Sequence, residues 1–300
     1  MLFVMNWILV AFLEPILFAL TNVLDSNLTN RLFKNAWILT VLVAVSNLLF
    51  IPIIWLLDPP QLINLNLVPY VVLVSFIELY YAYPYYKALQ NDDTSVIISL
   101  FSLGKVFVPV LAFFLIGEIL KPIQYFGFAI VVLSSVAITF NRKEKFKLNK
   151  SFFYMFLSSS LLAVEVVVYK YVFEQISWGA GLFWTIVISA LMGLASLLVG
   201  KFRVGFREEF QALKKYYPYI LTVGGLGFFG FIGFSYAIAQ VPATVSRSIS
   251  SFQPFFVLLY AVLFSRFLPR AFKENVSSSI LIKKLLLFIF TTVGVVLIVN

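Results

Sequence analysis

Four ionisable residues interrupt long apolar stretches of the sequence: Glu14, Glu78, Lys105 and Glu165. A charge near the centre of a lipid bilayer costs at least about 2.5–3.5 kcal/mol on insertion scales, so each of them needs a physical reason to be there. Buried carboxylates bind protons or cations, whereas an ammonium group binds carboxylates or phosphates. The four residues predict either the binding of protons and a charged solute or ion pairs that fix helix packing.

Glu14 begins a polar helical face, because Asn22 and Asp25 follow it at offsets of eight and eleven residues. Glu165 lies at a similar depth in the first apolar stretch of the second half of the chain. One interpretation is a pair of proton- or cation-binding carboxylates that face a common cavity. The alternative is that Glu14 makes a hydrogen bond between helices.

Glu78 and Lys105 each stand about halfway along an apolar stretch. They are interpreted either as a buried ion pair that fixes helix packing or as a site where Lys105 receives a carboxylate or phosphate of a substrate. Tyr81 and Tyr85 follow Glu78 at offsets of three and seven, on the same helical face. These two tyrosines are therefore candidates to line the same path.

Arg247 stands near the start of a later apolar stretch and either extends to the lipid headgroups or faces the substrate. Gln253 follows six residues later, directly before a proline. With these two, nine residues are predicted to bind substrate or protons: Glu14, Asn22, Glu78, Tyr81, Tyr85, Lys105, Glu165, Arg247 and Gln253.

The composition excludes several classes of site. The chain has no cysteine and no histidine, which removes thiolate and imidazole metal sites and catalysis by an imidazole base. No catalytic residue, cofactor site or metal site is predicted. The net charge of +9 favours basic loops beside anionic lipid over nucleic-acid binding, since the chain is so apolar.

The elements that position these residues are predicted to be transmembrane helices. Hydrophobic residues make up 62% of the chain and charged residues 12%, against roughly a quarter charged in ordinary soluble domains. The apolar runs reach the 18 or more residues that about 30 Å of hydrocarbon requires of a helix. We predict an all-α integral membrane protein with ten spans, at about 3–23, 36–57, 67–90, 94–116, 121–140, 151–173, 180–199, 218–239, 243–265 and 280–299.

The polar stretch 141–150 divides the ten spans into two sets of five. The segments 86–90 and 236–240 have related sequences about 150 residues apart, and a serine-rich helix follows each of them. Since five is odd, two such halves have opposite orientations in the membrane. The sequence predicts an inverted-topology repeat, 1–148 and 149–300, of the kind that many secondary transporters use for alternating access.

Particular motifs make a family resemblance specific. The stretch 85–138 contains Tyr-Tyr-Lys-Ala-Leu, a serine-rich helix and the pair Gly117-Glu118, and the stretch 234–263 repeats the pattern with Gln253-Pro254. Both resemble the repeat of the EamA-like branch of the drug/metabolite transporter superfamily. The sequence departs from the pattern at Lys105, where a proline is usual, and at Ser265-Arg266, where Gly-Glu would fall.

The resemblance implies a secondary transporter rather than an enzyme, an exporter of a small metabolite such as an amino acid or organic amine, with proton coupling as a further expectation. No phosphate-binding loop of the Gly-x-x-x-x-Gly-Lys-Ser/Thr type is present to use ATP. One alternative is a membrane enzyme acting on a lipid or prenyl diphosphate, which only the acidic pair Asp92-Asp93 supports. Another is a lipid-translocating member of the same fold.

Lysine and arginine are concentrated in the loops after odd-numbered spans. These residues are Arg31, Lys34, Arg142, Lys143, Lys145, Lys147, Lys150, Lys201, Arg203, Arg207, Lys214, Lys215, Arg270 and Lys273, whereas the other loops hold little beyond Lys121. By the positive-inside rule the odd loops are cytoplasmic, so both termini of this multi-pass cell-membrane protein are predicted outside. The expected partners are lipid, a small-molecule substrate and protons; a monomer is compatible with the sequence, which does not determine the oligomeric state.

Overall fold

The computed structural model describes residues 7–91, 97, 100, 101, 104–139, 150–264 and 278–299, and every regular element in this part of the chain is helical. The helices are α1 Trp7–Leu32, α2 Ala36–Leu57, α3 Leu65–Leu89, α4 Phe107–Ile116, α5 Pro122–Thr139, α6 Lys150–Phe173, α7 Trp178–Ser196, α8 Gly200–Gln240, α9 243–264 and α10 Ser278–Val299.

Six of these helices are long and apolar enough to cross a membrane: α1, α2, α3, α6, α7 and α8. Together with the hydropathy of the sequence, they identify a multi-pass membrane protein. Helices α4, α5 and α9 fall within the predicted fourth, fifth and ninth spans, parts of which lie outside the described residues, and α10 begins two residues before the predicted tenth span. The total of ten spans therefore stays a prediction.

Several helices are interrupted beside the residues that the sequence analysis selected. Helix α1 is broken at Phe12, two residues before Glu14, and α3 is broken at Tyr81, three residues before Pro84. Helix α9 changes from Ala243–Ile249 through a 3-10 turn, Ser250–Phe252, to Gln253–Phe264. A proline inside a helix leaves a backbone carbonyl without its usual donor, so such interruptions supply polar groups at membrane depth.

Helix α8 corrects one prediction. The sequence analysis treats 200–217 as a polar connection before a span at 218–239, but a single helix of 41 residues covers both. The polar part is held by Glu209, whose carboxylate accepts hydrogen bonds from the backbone N–H groups of Lys34 and Asn35, each at 2.8 Å. Leu213 packs beside the same region of α2 and α3, so apolar contacts also favour continuing the helix.

The helices pack in a regular pattern. Helix α1 packs against α8 and α9, and correspondingly α6 packs against α3 and α4. Helix α2 contacts α8, and correspondingly α7 contacts α3. Two further contacts, of α5 with α10 and of α2 with α7, each join corresponding helices. If α1 to α5 are exchanged with α6 to α10 in order, each contact in this set becomes another contact of the same set. The two halves share these contacts, whereas α9 also contacts α5, α6 and α10 and the described part of α4 has no contacts of comparable extent with α10, α1 and α5.

Two glycines allow helices to approach closely beside the glutamates of α1 and α6. A Cβ atom on Gly233 of α8 would lie 2.6 Å from the carbonyl oxygen of Val10 in α1, four residues before Glu14. A Cβ atom on Gly104 would overlap the backbone of Ser159 in α6. Small residues at these contacts set the spacing between the helices that surround the candidate site.

Candidate functional site

Helices α1, α2, α3, α6, α8 and α9 surround a cavity of about 130 Å³. Its volume is many times the roughly 10–15 Å³ that one water needs by this kind of measure, so it has room for a small solute. Eight of the nine predicted residues line it: Glu14, Asn22, Glu78, Tyr81, Tyr85, Glu165, Arg247 and Gln253. The ninth, Lys105, lies behind this wall.

Glu14 is held by a buried ion pair. Arg247 Nη1 donates a hydrogen bond to Glu14 Oε1 at 2.8 Å, and the hydroxyl of Ser250 donates to Glu14 Oε2 at 2.6 Å. The guanidinium of Arg247 also lies 5.6 Å from the ring centroid of Phe234. Arg247 thus faces the cavity rather than the lipid headgroups, and both carboxylate oxygens of Glu14 have donors.

Lys105 is not the ion-pair partner of Glu78 that the sequence analysis considered. Its ammonium nitrogen donates to the carbonyl oxygen of Ser250 at 2.9 Å, and only 3% of the residue is exposed. Pro254 stands four residues after Ser250 and has no N–H, so this carbonyl is free to accept from Lys105. The physical reason for the correction is that Lys105 is placed beside α9, whereas Glu78 lies beside α6.

The carboxyl group of Glu78 instead lies within hydrogen-bonding reach of the carboxyl group of Glu165. Glu165 is 2% exposed, and its Oε1 receives no hydrogen bond from any donor in the described part of the chain. An ionised carboxylate only accepts hydrogen bonds, so two carboxyl groups bond to each other only when one of them carries a proton. This geometry is suited to holding one exchangeable proton between α3 and α6.

A third polar group joins α1 to α3. The oxygen of the Tyr85 hydroxyl lies 3.0 Å from Asn22 Oδ1 and 3.2 Å from Asp25 Oδ2. The sequence analysis selected Asn22 and Tyr85 but used Asp25 only as part of the face of Glu14. Asp25 also lines the cavity, and its Oδ1 has no hydrogen-bond partner among the described residues.

The remaining part of the cavity wall consists largely of aromatic residues and glycine. Phe18, Phe228 and Phe231 line the cavity together with Gly227, where an added Cβ atom would meet nothing within 4 Å. Tyr81 contributes its side chain to the wall, and its carbonyl accepts a hydrogen bond from Ser158 at 3.0 Å. The site is thus an apolar chamber with a few convergent polar groups, as is usual for small-molecule sites.

The pair Gly117-Glu118 links the two halves away from the cavity. Gly117 has φ +67° and ends α4, a backbone conformation that favours glycine. Glu118 accepts hydrogen bonds from the backbone N–H groups of Ala243 at 2.6 Å and Thr244 at 3.1 Å, and so caps the start of α9. The pair that carries the family resemblance has a structural role, while Asp92-Asp93 lies outside the described residues.

Comparisons with known proteins agree with this architecture. A solved structure described as "Crystal structure of protein" has a TM-score of 0.66 at 16% identity, over 98% of this chain and 99% of that chain, a likeness that shows the fold alone. No curated protein sequence matches the chain. The model of the EamA-like transporter family matches residues 5–140. Over these residues, somewhat less than half of the chain, the sequence is similar to the EamA-like transporter family of the drug/metabolite transporter superfamily, whose members are membrane transporters.

Proposed function

We propose that the chain is a secondary transporter that exports a small metabolite, such as an amino acid or organic amine, through this cavity by alternating access. The observation that carries the proposal is the set of convergent groups in one chamber, an ion pair of Glu14 with Arg247 and a carboxyl pair of Glu78 with Glu165. Such expensive groups inside a membrane are expected along a substrate or proton path.

The packing supports the proposal that residues 1–148 and 149–300 are inverted repeats with five spans each. The contacts of α1 and α2 with the second half have counterparts when the two halves are exchanged, as a pseudo-twofold axis requires. The cavity lies between α1 and α3 of one half and α6 and α8 of the other. Rocking of the halves around this site would open it to each side in turn.

Proton coupling is assigned to Glu78 and Glu165. With one proton the two carboxyl groups make a hydrogen bond, and without it two negative charges face each other in a buried site. The loss of the proton therefore pushes α3 and α6 apart. Since these helices belong to different halves, protonation and the arrangement of the halves are coupled.

The charge distribution supports the proposed orientation, with both termini outside and the basic loops in the cytoplasm. A reporter fused to Asn300 that is active only in the cytoplasm should then be inactive. In this orientation α1 runs from the outside towards the cytoplasm, so Asp25 lies on the cytoplasmic side of Glu14. An active reporter at Asn300 would reverse the orientation.

Flux in proteoliposomes tests the function. The purified chain should release preloaded amino acids or amines faster when a pH gradient is imposed across the membrane, and Glu165→Gln and Glu78→Gln should each abolish this acceleration. Each amide still makes a hydrogen bond to the remaining carboxylate, so both variants should stay folded. Glu174→Gln is the matched control, because Glu174 is half exposed and its one ion pair within the described part of the chain is with Lys170 at 3.4 Å. Wild-type coupling in both cavity variants would refute the proton pair.

A further inference from the structure

We propose that Asp25, Asn22 and Tyr85 form a subsite for a primary ammonium group at one end of the cavity. The inference deepens the proposed function, on which it rests for its place in transport, but the property that it assigns is binding. It follows from three independent features of this group: a buried carboxylate with no cation beside it, an incomplete set of hydrogen bonds, and a wall of aromatic rings.

The first feature is the missing cation. Asp25 is 6% exposed, and both ion pairs found among the described residues involve other carboxylates. Buried charges in proteins are normally paired, because an isolated charge loses its hydration without compensation. Glu14, on the same helix, has Arg247 for this purpose. For Asp25 no described side chain supplies this charge, and a bound ammonium group would supply it.

The second feature is the hydrogen bonding of Tyr85. Its hydroxyl has one hydrogen, yet it lies within bonding distance of two acceptors, Asn22 Oδ1 and Asp25 Oδ2. The nitrogen and oxygen of an asparagine amide are assigned from such contacts, and turning the Asn22 amide by 180° resolves the conflict. Asn22 then donates to the tyrosine oxygen, and the tyrosine donates to Asp25.

This arrangement leaves two acceptor oxygens without donors. One is Asp25 Oδ1, which has no partner in the described structure, and the other is the Asn22 oxygen, which takes the place of the unpartnered Asn22 nitrogen. Residues at offsets of three are neighbours on a helix, so the two oxygens lie on the same face of α1. A primary ammonium group has three N–H donors and satisfies both.

The third feature is the aromatic surround. The ring of Tyr85 lies 5.2 Å from that of Tyr86 and 5.1 Å from that of Phe101, and all three residues line the cavity. Aromatic rings attract ammonium groups through their negative faces. A metal ion would instead require a shell of oxygen ligands, and no group of three acidic side chains is placed to hold one among the described residues.

The subsite is distinct from the ion pair and from the proton pair. Asp25 follows Glu14 by eleven residues, which corresponds to about 16 Å along the helix axis. Tyr85 follows Glu78 by seven residues, or about 10 Å. A short alkylammonium ion cannot touch all of these groups at once. In the proposed orientation the subsite is at the cytoplasmic end, where an exported amine would first bind.

Equilibrium binding to the full chain in detergent micelles tests the subsite. Calorimetry at fixed ionic strength should detect propylammonium binding and at least about tenfold weaker binding of propyltrimethylammonium, which has the same charge but no N–H group. Asp25→Asn keeps the shape and removes the charge, and it should weaken propylammonium binding about ten- to hundredfold. Tyr85→Phe should weaken it severalfold, and Glu174→Gln should leave it unchanged.

Each other outcome counts against the subsite. Equal binding of propylammonium by the native chain and by Asp25→Asn overturns it, as does equal affinity for the quaternary ion or binding of sodium in preference to propylammonium. If Asp25→Asn does not fold, Asn22→Leu is measured instead, and it should weaken propylammonium binding at least about tenfold. No proton gradient is present in this binding experiment, so its result is independent of coupled flux. If propylammonium binds as expected but flux is not coupled to protons, only the transport mechanism is refuted. If flux is coupled but propylammonium does not bind as expected, only the subsite is refuted.

Discussion

Glu14 of α1 and Glu165 of α6 both line the cavity, yet their surroundings are opposite in charge. Glu14 faces a cation, Arg247, and Glu165 faces another carboxyl group, Glu78. The difference comes from two positions. In the proposed repeat, the offset of 151 residues that aligns Glu14 with Glu165 places Arg247 opposite Val96 of the first half, and Glu78 opposite Phe229 of the second.

The comparison teaches that, in the proposed repeat, the chemistry arises at positions where the sequences of the two halves differ. Glu14 has a counter-charge within the protein, on Arg247, so this ion pair can persist at any stage of transport. Around Glu165 two carboxyl groups face each other, and a bound proton removes one of the two negative charges, so this region depends on the solution. Glu14 thus takes part in a permanent ion pair, and Glu165 takes part in a pair of carboxyl groups with an exchangeable proton.

The largest effect is expected from removing the cation of the permanent pair. Arg247→Met leaves Glu14 buried without a counter-charge and should destabilise the protein by about 3–5 kcal/mol. The double variant Glu14→Gln/Arg247→Met should recover most of this loss, because no unpaired charge remains. Unfolding of the three proteins in detergent micelles, followed by circular dichroism, measures both quantities. A double variant less stable than Arg247→Met would show that the two groups do not act as a pair.

An intermediate effect is expected from widening the helix contacts beside each glutamate. Gly233→Ala and Gly104→Ala place a methyl group against backbone atoms of α1 and α6, and each should cost about 1–3 kcal/mol. Gly227→Ala is the matched control in α8, since its methyl group points into open space. It should gain up to about 1 kcal/mol from better helix propensity. The same unfolding assay applies, and equal effects at Gly227 and Gly233 would contradict the close approach.

The smallest effect on stability is expected at the exchangeable pair. Glu165→Gln supplies an N–H group in place of the shared proton, so the free energy of unfolding should change by less than about 1 kcal/mol. The contrast with Arg247→Met is the informative quantity, because both variants remove one charged group from the same chamber. A loss at Glu165→Gln as large as at Arg247→Met would mean that Glu165 is ionised and paired with a cation.

The helices could largely be predicted from hydropathy, because lipid requires long apolar runs with satisfied backbones. The predicted spans 36–57 and 151–173 agree with α2 and α6 to within about one residue. The extension of α8 through 200–217 could not be predicted this way, since its polar residues face water and it is held by Glu209 at the start of another helix. A hydropathy profile detects only the part of a helix that lies in lipid.

The members of the site were easier to predict than their partners. A polar residue in an apolar run stands out because of its cost, and that signal selects Glu14, Glu165 and Arg247 without any structure. Pairing depends on which helices meet, and the periodicity of one helix contains no information on its neighbours. Lys105 was therefore matched with Glu78 on sequence depth alone, although it contacts the carbonyl of Ser250. The periodicity of α1 places Asp25 on the same face as Glu14, as the structure has it, but it does not indicate that Tyr85 of α3 is the partner of Asp25.

The length of α8 has a mechanical consequence. Its 41 residues extend about 60 Å, twice the thickness of the hydrocarbon layer, so nearly half of it projects beyond the lipid. The projecting half is anchored to the start of α2 by Glu209, while the other half carries Gly227 and Phe231 in the cavity wall. Movement of the wall relative to α2 must therefore be taken up between these two anchors, where Pro218 interrupts the hydrogen bonds of the helix. Helix α8 is therefore expected to bend at Pro218 when the cavity wall tilts. A spectroscopic label on its exposed end would measure this tilt without entering the cavity.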